Sequence, residues 1–306
     1  MSLLRKNKQA IGVLELLLTA LIWGTAFVAQ SVGMEHIGPY TFNAARFFVG
    51  GLVLIPIVLV VKKTDRQEKS AEEKRLYRKN TIIGGICCGV VLCLASTFQQ
   101  IGIQYTTVGK AGFITALYIV IVPLLGLFLK KKVTWLVWIS TGMAVIGFYL
   151  LSISGKVTMN QGDIAVLICA VLFSVHILVV DYFSPKADGV GISCIQFWIS
   201  AIISAGLMVI FENPQMQEVL AAAKPILYAG IMSCGVAYTL QIIGQKHVEP
   251  TIASLLMSLE SVFSVLAGWV LLGQVLSIKE LAGCALVFTA VILAQIPVPK
   301  KLNKNQ

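Results

Sequence analysis

The sequence predicts an all-α membrane protein whose ten transmembrane helices form two inverted five-helix repeats. Three observations predict it. The 306 residues are 57% hydrophobic and 12% charged, with mean hydropathy +0.86, whereas a soluble domain carries about a quarter charged residues. The apolar surplus falls into runs of roughly 20 residues, which as helices of about 30 Å match the hydrocarbon thickness. The two halves of the chain also repeat each other in order, spacing and hydropathy.

Apolar windows bounded by charges, Gly or Pro give helices near 11–31, 39–61, 81–104, 107–129, 133–151, 162–183, 189–211, 225–245, 250–272 and 277–297. Arg5, Lys6 and Lys8 before the first run imitate a secretory signal. The run is too long, lacks a small-residue cleavage site and is followed by nine like it, so a retained first helix is expected. The segment 62–80, "KKTDRQEKSAEEKRLYRKN", is the substantial soluble loop, read as a short charged helix or coil on the membrane surface that acts as a solvated topology determinant. "GKAGFITALYIVIVPLLGLFLKKK" (109–132) carries Lys110 at one end, Pro123 inside and three lysines after it. Lys110 reads as an interfacial anchor whose stem snorkels to the headgroups. The lysine triplet reads as a cytoplasmic stop.

Charge sets the orientation. Nineteen of the 24 Lys and Arg fall in the termini and alternate loops, and only Lys156, Lys224 and Lys279 fall in the others. By the positive-inside rule both termini are cytoplasmic, in the cell membrane. The net charge of +10 therefore needs no nucleic-acid partner. The seven cysteines (Cys87, Cys88, Cys93, Cys169, Cys194, Cys234, Cys284) lie in apolar runs without metal-type spacing and read as small packing residues.

The internal repeat comes next. "TALIWGTAFVAQ" (19–30) lies over "CAVLFSVHILVV" (169–180) at an offset of 150, which also carries "FNAARFFVGG" (42–51) onto "ISCIQFWISA" (192–201). "QQIGIQYTTVGKAG" (99–112) lies over "LQIIGQKHVEPTIA" (240–253) at 141. The repeats span 11–151 and 161–297. Five spans per repeat force the second copy into the membrane from the opposite side, the architecture of secondary transporters, with a substrate site at the midplane between halves.

The chain is identified as resembling the drug/metabolite transporter superfamily, EamA-type branch. The resemblance is carried by "LIWGTAFV", "GKAGFITALYIVIVPLLG", "QQIGIQYTTVGKAGF" and "SLLMSLESVFSVLAGWVLLGQVLS". It departs from the family pattern at Ser261, where a proline is usual, and at Gln274, where a glutamate is. The resemblance implies a ten-helix solute carrier of the cytoplasmic membrane, often an exporter of amino acids or other small metabolites.

Charges in hydrocarbon cost about 2.5–3.5 kcal/mol each, so they pair or line a cavity. Glu260, near the middle of the ninth helix, reads as a proton-coupling or substrate-amine site or as a structurally paired glutamate. Arg46 cannot shed its proton and is either paired structurally or holds an anionic group such as a substrate carboxylate. His176 is the natural partner for a proton step, or a backbone-bonded helical histidine. Trp23, Gln100, Tyr118, Tyr238 and Gln241 complete an aromatic and amide lining. Gln99 and Gln100 diverge by about 100° on a helix, and the repeat pairing of Gln100 with Gln241 favours Gln100. Pro123 removes a backbone hydrogen bond and reads as a gating bend or a packing irregularity.

The function expected is secondary transport of a small organic solute, an amino acid or related metabolite, by alternating access. Export and proton coupling are open expectations. The alternatives are a channel or a facilitative exchanger without ion coupling. A filter loop or charged ring is not visible, nor is an H-E-x-x-H or G-x-S-x-G motif, so an enzyme is not expected. No cofactor or metal is expected. The partners are the lipid bilayer, the substrate, protons if Glu260 couples to them, and a second copy if the chain dimerises.

Overall fold

Among the described residues of the computed structural model, eight helices are long and apolar enough to cross a membrane. The structure describes residues 2–64, 70–106, 108–131, 133–152, 160–272, 277–294 and 296, which form helices and turns without a strand. The eight spans are Asn7–Gly33, Pro39–Val61, Ala71–Tyr105, Ala111–Phe128, Gln161–Lys186, Gly189–Phe211, Ala223–Gln245 and Pro250–Ala267, and shorter apolar helices cover Trp135–Leu150 and Leu281–Ala294. The protein is therefore a multi-pass membrane protein. In chain order its helices are α1 (Ser2–Gly33), α2 (Pro39–Thr64), α3 (Ala71–Tyr105), α4 (Val108–Ala116), α5 (Tyr118–Phe128), α6 (Trp135–Ser152) and α7 (Gln161–Phe183). Then follow α8 (Gly189–Phe211), α9 (Met216–Ala221), α10 (Ala223–Tyr228), a π-helical stretch (Ala229–Ala237), α11 (Tyr238–Gln245), α12 (Pro250–Met257), α13 (Glu260–Leu272) and α14 (Ile278–Ala294). Lys132, Lys156, Gln274, the tail lysines and the side chain of Lys110 lie outside the described residues.

The charged segment is helical over 71–80 and continuous with the third span. Residues 71–80 are the opening turns of α3, a 35-residue helix about 52 Å long. Local chemistry explains the early start. Ser70 accepts from Glu73 N at 3.2 Å, and the Glu73 carboxylate accepts from Ser70 N at 2.8 Å, a reciprocal cap that satisfies two orphan amides. Asn160 and Asp163 cap α7 the same way, and Asp163 also accepts from Thr106 Oγ1 at 2.8 Å, tying the end of α3 to the start of α7. Glu212, just past α8, accepts from Tyr40 N (3.0 Å) and Thr41 N (2.7 Å) at the start of α2. A carboxylate there satisfies free amides and the positive helix end together.

The two ends of the bundle differ in charge. At one end Lys131 pairs with Asp181, joining the close of α5 to the close of α7. Lys130 holds a left-handed φ of 58°, so Lys131 N reaches Gly126 O at 2.9 Å and Lys130 N reaches Leu127 O at 2.9 Å, a Schellman ending built on lysine instead of glycine. Lys74, Arg75, Arg78 and Lys79 open α3 at this end, where Gly84 meets Phe183 and Thr81 bonds Asp188 N. Glu35, Glu212 and Glu218 gather at the other end.

Packing interlocks the first half of the chain with the second. α2 lies against α8 and the π stretch, α3 against α7 and α8, α1 against α11 and α13, and α6 against α14. Close approach needs glycine at a few places. A Cβ on Gly24 would stand 2.5 Å from Phe263 Cβ and 2.8 Å from Glu260 O, so the glycine of "LIWGTAFV" lets α1 seat on the start of α13. Gly85 and Gly89 do the same for α3 on α8, meeting Ile195 and Ile199.

Candidate functional site

Two interrupted helices meet at the centre of the bundle. α4 gives way to α5 at Leu117, whose N–H turns back to Ile114 O at 3.1 Å while its carbonyl accepts from Val120 N at 3.0 Å. α12 gives way to α13 at Ser258 and Leu259, where Leu259 N reaches Leu256 O at 3.3 Å and Ser261 N reaches Ser258 O at 3.1 Å. Both are tight i to i−3 turns inside an otherwise α-helical run. Leu117 and Ser258 are 141 residues apart, the offset that aligns 99–112 with 240–253. In hydrocarbon such irregular backbone belongs where protein or a cavity surrounds it.

The interruptions place two side chains face to face. Tyr118 opens α5, Glu260 opens α13, and the tyrosine hydroxyl donates to Glu260 Oε1 at 3.0 Å. Ser261 donates to Gly112 O at 2.9 Å and stitches α13 to α4. Together with Trp23, Phe27 and Gln30 of α1, Arg46 of α2 and Gln99 of α3, Tyr118 and Glu260 line one central cavity. Thr115, Phe173, Ile177, Ser233, Tyr238 and Gln241 close it. The free room is about 30 Å³, space for a water or two and not for an organic solute.

Arg46 is 3% exposed. Its Nη1 donates to Gln30 Oε1 at 2.9 Å, and its guanidinium carbon lies 4.9 Å from the Phe47 ring centre and 5.6 Å from that of Phe42. Among the described residues its Nε has no hydrogen-bond partner, and neither have Trp23 Nε1 or Gln241 Oε1. Arg46 and Glu260 thus share a cavity without forming an ion pair with each other. Tyr238 is the aromatic hub. Its ring centre lies 4.6 Å from Trp23, 5.6 Å from Phe197 and 6.1 Å from His176. The preceding π-helical stretch displaces the register at Ser233 and Tyr238, both on the cavity wall. Thr19 Oγ1 sits 3.0 Å from Ala237 O and 2.9 Å from Glu15 O, within reach of both carbonyls.

Six of the sequence-selected residues therefore come together: Trp23, Arg46, Tyr118, Tyr238, Gln241 and Glu260. Gln100 and His176 do not reach the cavity. Gln99 takes the place expected for Gln100 and donates to Thr115 Oγ1 at 3.4 Å, while Gln100 turns to the α1 backbone and donates to Gln30 O at 3.4 Å. The phase of α3 decides this. Gly102 must face Val166 of α7, and Gln99 lies one turn before it on that side. His176 sits one layer behind Tyr238, with Nε2 3.2 Å from Gln196 Oε1. Pro123 is buried in α5, five residues after Tyr118, and is not on the cavity wall. Gln30, Phe27, Thr115, Phe173, Ile177 and Ser233 were not selected from sequence. Helical spacing could have found several, since 23, 27 and 30 share a face, as do 173 and 177.

The protein thus presents a small polar cavity inside a bundle of membrane-spanning helices, built at two broken helices. The chain belongs to the EamA-like transporter family, which it matches over residues 10–153 and 160–295. An uncharacterized transporter of Archaeoglobus fulgidus is 29% identical over 297 residues, covering 95% of this chain and 88% of that protein. The uncharacterized transporter YoaV of Bacillus subtilis is 22% identical, covering 92% and 95% respectively. A solved crystal structure shares the fold at a TM-score of 0.72 with 22% identity, over 93% of this chain and 96% of that one.

Proposed function

We propose that the protein is a secondary transporter of a small zwitterionic solute, an amino acid or a related metabolite, working by alternating access. The observation that carries this reading is the cavity holding one fixed cation, Arg46, and one carboxyl, Glu260, apart from each other. Arg46 presents a donor to a substrate carboxylate. Glu260, with Gln241 and Tyr118, presents acceptors to an ammonium group.

In this reading the chain crosses the membrane ten times as two inverted five-helix repeats, 11–151 and 161–297. The main contacts are reciprocal between the two halves of the chain: α3 on α7 answers α11 on α1, and α4 and α5 on α7 answer α12 and α13 on α1. The paired interruptions at Leu117 and Ser258 support the same two-fold relation. The end rich in lysine and arginine, together with both termini, faces the cytoplasm of the cell membrane. The cavity's free room of about 30 Å³ favours a carrier over a channel, because its wall has to part before an organic solute enters.

Proton coupling rests on Glu260, since its partner Tyr118 can follow a proton with its own hydroxyl while His176 lies behind the wall. Counterflow into proteoliposomes tests the proposal. Saturable uptake of labelled amino acids, accelerated by unlabelled amino acid inside, is expected. Uptake linear in concentration and indifferent to internal solute would overturn it.

A further inference from the structure

α3 is too long for the bilayer, since its roughly 52 Å exceed a hydrocarbon core of about 30 Å. Its projecting turns carry Lys74, Arg75, Arg78 and Lys79, which line one open groove with Ile82 and Ile83. The spacing i, i+1, i+4, i+5, i+8, i+9 keeps all six on one face of the helix. That face continues as Ile86, and Ile82, Ile83 and Ile86 are 41%, 39% and 42% exposed. Gly84 lies on the opposite face, pressed on Phe183. Arg75 and Lys79 therefore stand above Ile82, Ile83 and Ile86, with Lys74 and Arg78 beside them.

A topology signal needs only charge near the membrane; it does not need the charge aligned with one lipid-facing stripe. A single phospholipid has this layout, phosphate above and chains below. Four cations also repel the ammonium of a zwitterionic headgroup. Glu72 is the acid at the edge of the groove face, and Glu73 is engaged by its cap on Ser70. We propose that this face of α3 binds the headgroup of an anionic phospholipid, with the chains lying along Ile82, Ile83 and Ile86. Each cation near the surface contributes about fivefold in relative affinity.

Thermal unfolding of the purified full chain in a neutral detergent tests this, with short-chain phosphatidylglycerol, short-chain phosphatidylcholine and glycerol phosphate as probes. Phosphatidylglycerol should stabilise at a concentration at least about tenfold below phosphatidylcholine, with the advantage shrinking as salt rises. Arg75→Gln with Arg78→Gln should raise the phosphatidylglycerol midpoint about 25-fold, and Arg75→Lys with Arg78→Lys should restore it. Equal response to the two lipids, full response to glycerol phosphate alone, or an unchanged midpoint in the glutamine variant would each overturn the proposal. If the glutamine variant does not fold, the lipid comparison and its salt dependence on the unmodified chain decide.

Discussion

Replacing Arg46 by methionine should separate folding from transport. The guanidinium is buried, accepts stabilisation from two aromatic faces at 4.9 and 5.6 Å, and makes one hydrogen bond, to Gln30. A cation at this depth costs about 2.5–3.5 kcal/mol. The two ring contacts return about 1–4 kcal/mol together, and the hydrogen bond to a charged donor about 1.5–3 kcal/mol. At the low end of these ranges the returns, about 2.5 kcal/mol together, cancel the cost. Arg46→Met alone leaves Gln30 Oε1 buried without a donor, at about 1–3 kcal/mol. The double variant Arg46→Met with Gln30→Leu removes both partners, and its stability should stay within about 2 kcal/mol of the parent. Transport should fare differently. A charged hydrogen bond to a substrate carboxylate is worth about 1.5–3 kcal/mol, or roughly tenfold to a hundredfold in apparent affinity. Detergent unfolding gives the first quantity, and counterflow KM values for an amino acid and its decarboxylated amine give the second. The amino acid should lose its advantage over the amine. Loss of more than about 4 kcal/mol of stability, with an unchanged KM in the surviving protein, would refute the assignment and make Arg46 a scaffold residue.

Glu260→Gln should leave substrate exchange measurable while making uptake indifferent to an imposed proton gradient; undiminished gradient dependence in that variant removes Glu260 from the coupling step. The Lys131–Asp181 pair, one turn past the cavity residue Ile177 on α7, should act as a latch at its end of the bundle. Asp181→Asn should change stability by less than about 1 kcal/mol, because the pair is partly exposed, yet should speed labelling of a Thr115→Cys variant by a thiol reagent applied from that end. The exchange Lys131→Asp with Asp181→Lys should restore slow labelling, and identical rates in all three backgrounds would show that the pair gates nothing. Gly24→Val should prise α1 from α13 and cost about 1–3 kcal/mol in unfolding free energy, since the added carbon meets Phe263 and Glu260 O; a neutral result would mean α1 is free to shift. Ser261→Ala should cost about 1 kcal/mol through the lost bond to Gly112 O, read in the same unfolding assay.

What the sequence discloses here follows from the range of the forces involved. Burial in lipid is a property of twenty-residue windows, so the spans emerge from hydropathy alone, and depth in the bilayer singles out Arg46 and Glu260. Facing is set by packing, one residue at a time. Gln99 and Gln100 are indistinguishable by depth, and internal similarity pointed to the wrong one because the two halves match in sequence more closely than in the turn of each side chain. Gly102 held the better signal, since a glycine pressed on a neighbour fixes the phase of its helix.

The two interruptions show the same limit from the backbone side. In the fourth span a proline, Pro123, announces irregularity, and the turn comes six residues before it, at Leu117. In the run Pro250–Ala267 the proline stands at the start, eight residues before the break at Ser258, yet the helix breaks at the matching place. There a ladder of hydroxyls serves the backbone: Ser254, Ser258 and Ser264 each donate to the carbonyl three residues earlier, at 2.8, 2.7 and 2.8 Å. Serines that engage carbonyls within their own helix weaken its regular bonding and bend it. Different residues thus reach the same backbone geometry in the two halves, which places Tyr118 within 3.0 Å of Glu260. A comparison of letters misses this equivalence, and an account of where each carbonyl finds its donor recovers it.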